Sequence, residues 1–207
     1  MDGGGVISCH NYKVEGNTAI EEGQYGEAEI LIHAEIEQAE QIGLLNPRLA
    51  GSLNELGILH AKQHKYKQAE LLFQRSLGVC VAARGSDHPD VAVILKNIGI
   101  LKASQSEYVE ADLLLKQSLL LKKRVLGHEH PMAAGMMRTI AVIQAIQGRY
   151  QEAERFIRRS LEIGEKTLGS EHPEAVASRK VFAQVLRAGD ARYRGLSCRV
   201  MGSGYEN

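Results

Sequence analysis

Three histidines, His88, His130 and His172, stand 42 residues apart, and His128 lies two places before His130. Imidazole is a common transition-metal ligand, but a metal centre needs ligands that converge on one point. Side chains that recur at a long fixed period point in parallel from successive units. These histidines therefore read as turn residues, and His128 with His130 as an adventitious zinc or nickel contact at most. Other chemistry is equally thin. Gly3-Gly4-Gly5 lacks the Lys-Ser/Thr ending of a phosphate loop. No Gly-x-Ser-x-Gly elbow and no His-Glu-x-x-His pair occurs. Adjacent carboxylates such as Glu21-Glu22 read as a solvated helix end. Cys80 reads as a small core residue, and Met136-Met137 as packing. The expectation is a protein without catalytic residues, cofactor or metal.

Composition narrows the class further. The 25 basic and 25 acidic residues cancel. Bulk nucleic-acid binding needs a basic excess to replace phosphate counterions, so it is not expected. Cys9, Cys80 and Cys198 are odd in number and far apart, which is no disulfide framework and fits a reducing, cytoplasmic setting. The start, Met1-Asp2-Gly3-Gly4-Gly5, has neither the basic nor the apolar region of a signal peptide, and no apolar run approaches a membrane span.

The elements that carry these residues repeat. Pro47, Pro89, Pro131 and Pro173 are each 42 residues apart; Tyr66, Tyr108 and Tyr150 keep the same step. So do Ala69, Ala111 and Ala153, and Ser76, Ser118 and Ser160, while Gly85, Gly127 and Gly169 follow. Tyr25 and Ala28 extend the pattern backwards with a step of 41. Each unit reads as two helices. The first opens at the proline, whose missing N–H has no helical partner to lose. The second opens near the tyrosine and carries apolar residues three and four apart. Gly127 and Gly169 sit where a left-handed helix cap is wanted. His130 and His172, each before a proline, favour extended backbone. Small residues at Gly57, Gly99, Ala141 and Ala183, and at Ala69, Ala111 and Ala153, let the paired helices approach closely.

A small residue, then Tyr, then Ala at these offsets resembles the tetratricopeptide repeat, normally about 34 residues long. The longer unit, with Leu-Gly-x-Glu-His-Pro between repeats (Leu126 to Pro131, Leu168 to Pro173), resembles the kinesin light chain subclass. The resemblance implies an all-α, right-handed solenoid of stacked helix-turn-helix units: about four repeats plus a terminal helix near 173–188. The expected boundaries are a flexible N-terminus over 1–8, a repeat domain over 9–188 and a flexible tail over 189–207.

In that family the first helices line a concave groove that holds partners. Three places before the small reference residue stand Lys13, Asn54, Lys96, Arg138 and Lys180. The resemblance implies that this position faces the groove. Asn97 stands one place later in its unit, where many relatives carry paired asparagines. Four places after the basic position come Asn17, Ile58, Ile100 and Val142, an apolar floor with a polar end. Lys96, Arg138 and Lys180 are expected to form a basic stripe, and the two-carboxylate clamp of chaperone-binding relatives is only partly present. The implied function is an adaptor that binds an extended, acidic peptide segment, with no nucleic acid and no membrane. The alternative is a structural scaffold that self-associates through its convex face or solenoid ends.

Overall fold

The computed structural model describes residues 24–43 and 46–202, with side chains as far as Asp190. It contains eight helices among the described residues: α1 Tyr25–Ile42, α2 Pro47–Lys62, α3 Tyr66–Arg84, α4 Pro89–Ser104, α5 Tyr108–Leu126, α6 Pro131–Ile146, α7 Tyr150–Leu168 and α8 Pro173–Gly202. There is no strand among these residues. The chain divides into two compact units, Met1–Gln105 and Ser106–Asn207. The first holds α1 to α4 and the second α5 to α8.

Every expected proline opens a helix, and the residue before it closes the helix end. Asn46 Oδ1 accepts from the Arg48 N–H at 3.1 Å. His88, His130 and His172 do the same with Nδ1, accepting from the backbone N–H of Asp90, Met132 and Glu174 at 3.2 Å each. The histidines are thus N-caps, satisfying one of the donors that a helix start leaves open.

The glycine caps differ from expectation in one angle. Gly85, Gly127 and Gly169 have φ of +87°, +90° and +93°, but ψ lies near 160° instead of in the left-handed helical well. That extended, positive-φ region belongs essentially to glycine. It suits a chain that must leave one helix and enter the extended residue before the next proline. The left-handed cap lies elsewhere, in the turn inside each repeat. His64 and Gly148 have φ of 60° and 75°. Lys65 N–H bonds to His60 O at 2.9 Å and His64 N–H to Ala61 O at 3.0 Å, the paired bonds of a Schellman turn.

In the first unit, Ala28, Ile32, Ile36 and Ala39 line one face of α1 and meet Leu49, Leu53, Leu56 and Leu59 of α2. In the second, Ala141 of α6, Ala153 and Ile157 of α7 and Val185 of α8 share a core, with Val181 and Phe182 against it. The small residues stand at the crossings as expected. A Cβ on Gly57 would come within 2.8 Å of the Phe73 ring. In the second unit the equivalent pair is Ala141 and Ile157, an extra methyl set against a smaller neighbour. Ala183 is exposed and stands at no such crossing among the described residues.

The last helix is the longest of those described. It runs past residue 188 to Gly202. Gly189 does not stop it: the residue is buried inside the helix, and a Cβ there would stand 3.5 Å from Tyr150 Cβ. An added Cβ there would make ordinary van der Waals contact with Tyr150 at the start of α7.

Candidate functional site

The face carried by the first helices is built differently in the two units. In the first, α2 and α4 bring Asn54 and Asn97 together. Asn97 Nδ2 donates to Asn54 Oδ1 at 2.9 Å. Asn54 is buried and Asn97 half-buried. Each amide has two donors and two acceptor sites, so the bond leaves an N–H on Asn54 and a carbonyl oxygen on Asn97 for another partner. Lys96, beside Asn97, is half-buried and has no ion-pair partner among the described residues. Ile58 is half-buried, and Ile100 is 44% exposed.

A cleft of about 410 Å³ opens beside these residues, between α1, α2 and the start of α4. Glu35, Arg48, Gly51, Asn54, Asp90 and Ile94 are among its walls.

In the second unit, Arg138 of α6 donates to the Glu174 carboxylate at 2.5 Å and to the Glu174 carbonyl at 3.1 Å, with Ser178 Oγ at 3.4 Å. The guanidinium spans from α6 to the first turn of α8 and is already matched by an anion. Val142 is 38% exposed, and Lys180 is exposed without an ion-pair partner among the described residues. Lys13 and Asn17 lie outside the described residues.

Several polar contacts were not legible from periodicity alone, yet they recur at equivalent places. His60 Nε2 lies 3.3 Å from Glu29 Oε1, joining α1 to α2. Lys102 Nζ lies 2.9 Å from Glu70, joining α3 to α4. Gln144 Nε2 donates to Asp112 at 3.2 Å, joining α5 to α6. The signal was available: Glu29, Glu70 and Asp112 keep the steps of 41 and 42. Asp112 is the most heavily engaged. It also accepts from Lys116 at 2.8 Å and Arg149 at 2.9 Å, while Arg149 bonds to Glu152. Bonds to Glu152 and Asp112 push the Arg149 pKa further up, so its charge is fixed.

One cluster brings metal-ligating types together. Cys80, His88 and Asp90 place one ligand atom each within 4.8 Å of the others. Arg84 fills the cation's place: its NH1 donates to Asp90 Oδ2 at 3.0 Å and lies 3.2 Å from His88 Nε2. His88 Nδ1 is used as the cap acceptor, which leaves Nε2 as the ring nitrogen beside Arg84. Burial, reinforced by Asp90 and opposed by Arg84, pushes the Cys80 thiol up and away from its reactive thiolate. No described helix is long and apolar enough to cross a membrane.

The tetratricopeptide repeat family model matches residues 48–124, 103–163 and 131–192. No curated protein matches the sequence. Among solved structures, BtubC (BKLC) from P. vanneervenii has a TM-score of 0.79 at 18% identity, covering 96% of this chain and 82% of that one. A Podosopora anserina putative kinesin light chain with nearly identical TPR-like repeats has a TM-score of 0.75 at 23% identity, covering 91% and 90%. A tetratricopeptide repeat protein from Parabacteroides merdae has a TM-score of 0.58 at 17% identity, covering 93% and 66%. At these identities the likeness is one of fold. With its helix pairs, its capped prolines and a family match over most of its length, the chain belongs to the tetratricopeptide repeat family, whose fold serves as a protein–protein interaction module.

Proposed function

We propose that the chain is a non-catalytic adaptor whose first-helix faces hold an extended, acidic segment of a partner protein. The observation that carries this reading is the group of Asn54, Asn97 and Lys96. The bonded amides offer one donor and one acceptor side by side, which suits the alternating C=O and N–H groups of an extended backbone. Lys96 supplies a cation with no internal claim on it among the described residues. Ile100 offers apolar surface beside them, worth roughly 25 cal/mol for each Å² that a ligand covers. Lys180 offers the same chemistry in the second unit. Arg138 contributes only on releasing Glu174.

A test starts from partners captured from a lysate, with the bound segment mapped to its minimal length. Titration of that segment into wild type and Lys96→Glu then decides. The expected segment is acidic and unstructured when free, weakens as salt rises, and loses affinity in the variant. A basic segment, or binding that ignores both salt and Lys96, contradicts the reading.

A second reading, self-association, draws on exposed apolar side chains of the second helices. Ile30 and Leu71 hold equivalent places in the first unit, and Leu113 holds that place in the second; each is more than half exposed. Light scattering separates the two: molecular mass that rises with concentration, in the absence of any partner, supports the scaffold.

A further inference from the structure

The buried Ser of the second helices ties them to the first. Ser76 Oγ donates to Ala50 O at 2.6 Å in the first unit, and Ser160 Oγ to Ala134 O at 2.8 Å in the second. Stepping back 41 residues from Ser76, as Tyr25 and Ala28 do from Tyr66 and Ala69, the same position on α1 is Glu35. Glu35 is only 7% exposed, and no described residue bonds to it or pairs with it. It lines the 410 Å³ cleft. Where a small hydroxyl fastens two helices in later repeats, a carboxylate stands here that bonds to none of the described residues and lines the cleft.

The residue is largely buried, its carboxylate opens only on the cleft, and a charged donor entering there complements it best. The cleft's own cations do not supply one: Arg84 is committed to Asp90 and Arg48 does not pair with Glu35. Asp90 is held by Arg84, and Glu35, Glu55 and Asp90 do not gather closely enough to share a metal ion. Arg48, on the same wall, is exposed and has no acidic partner among the described residues. The cleft adjoins Asn54, whose amide is the candidate backbone reader. Its volume lies in the range that accepts a small ligand, ample for one long side chain.

We propose that Glu35 is the floor of a cation-accepting subsite, which takes the Lys or Arg side chain of an otherwise acidic segment lying along α2 and α4. The inference rests on the first-helix reading and deepens it. The ammonium or guanidinium enters the cleft and pairs with Glu35, the carboxylates flanking it meet Arg48 and Lys96, and the backbone bonds to the Asn54–Asn97 pair. The first unit then recognises a charge pattern, which plain negative charge does not satisfy.

The test uses two acetylated, amidated Ser/Glu peptides of about twelve residues, roughly 40 Å when extended. One carries a central Lys and the other norleucine, which keeps the stem and removes the charge. Both are titrated into the full chain as wild type, Glu35→Gln and Glu35→Ser, the last restoring the residue found at the equivalent positions. The expected result is about tenfold tighter binding of the Lys peptide by wild type. Both variants should abolish that preference and melt no lower than wild type. Equal binding of the two peptides by wild type, or a preference that survives both variants, overturns the subsite and leaves the first-helix reading standing. A melting temperature that falls in both variants marks Glu35 as structural and overturns it too. Binding of neither peptide overturns the first-helix reading and the subsite with it.

Discussion

Asn54 in the first unit and Arg138 in the second hold the same place in their repeats, and each has a carboxylate 36 residues ahead, Asp90 and Glu174. They have opposite fates. Arg138 reaches Glu174, and Glu174 lies over Gly135, its carboxylate 3.8 Å from where a Cβ would stand. In the first unit Asp90 is taken by Arg84, Asn54 bonds to Asn97, and the space over the equivalent Gly51 is open cleft. One repeat position is therefore closed by an ion pair in one unit and left open in the other. A count of positive charges along the repeat treats these positions as alike. What separates them is whether the fold has already supplied the counter-charge.

The same comparison orders the effects of mutation. The largest is expected at Asp112, whose buried carboxylate holds Lys116, Gln144 and Arg149. Asp112→Ala should lower the unfolding free energy by about 3 kcal/mol in denaturant titration, because it strands the donors it served. Glu70→Ala, at the matching place in the first unit, should cost less, about 1–2 kcal/mol, since Glu70 is more exposed. Equal losses would break the distinction between the two polar locks.

Next comes the helix crossing. Gly57→Ala pushes a methyl into the Phe73 ring and should cost about 1–3 kcal/mol. Adding Phe73→Ile, which copies the Ala141–Ile157 pairing of the second unit, should recover much of it. No recovery would show that the two crossings differ in backbone geometry as well as in side-chain size. The caps follow. His130→Ala should cost about 1 kcal/mol in a melting experiment, whereas His130→Asn should be near neutral, because Asn46 already performs the same capping. The smallest effect is a gain. His64 adopts positive φ where Gly148 stands in the second unit. His64→Gly should stabilise by up to about 1 kcal/mol, and Gly148→Ala should do the reverse.

The helices were legible because each is opened by a residue with one physical job. Pro47, Pro89, Pro131 and Pro173 all stand at the first helical position, and Tyr25, Tyr66, Tyr108 and Tyr150 open the helices between them. The end of α8 was not legible, since Gly189 in isolation looks like a stop, and only its contact with Tyr150 gives the other meaning. At the candidate site the types and positions were legible while the pairings were not. Arg138 and Glu174 lie 36 residues apart, and their contact depends on how α6 and α8 pack. Glu35 carried a signal that alignment could have used, because the step that relates Tyr25 to Tyr66 also relates it to Ser76. It departs from the repeat, and a search for what recurs passes over what does not.

On the proposed reading, an unclaimed cation, more than a cation at the right repeat position, makes the first-helix face a site for acidic segments. The direct measurement is titration of one acidic Ser/Glu peptide into wild type, Lys96→Gln and Arg138→Gln, at low and at high ionic strength. Lys96→Gln should weaken binding by about tenfold at low salt, and Arg138→Gln by clearly less, because Glu174 already neutralises that guanidinium. High salt, which shortens the Debye length from ~10 Å at 0.1 M to ~3 Å at 1 M, should shrink both differences. A loss for Arg138→Gln as large as that for Lys96→Gln, or affinities that do not respond to salt, would contradict the account.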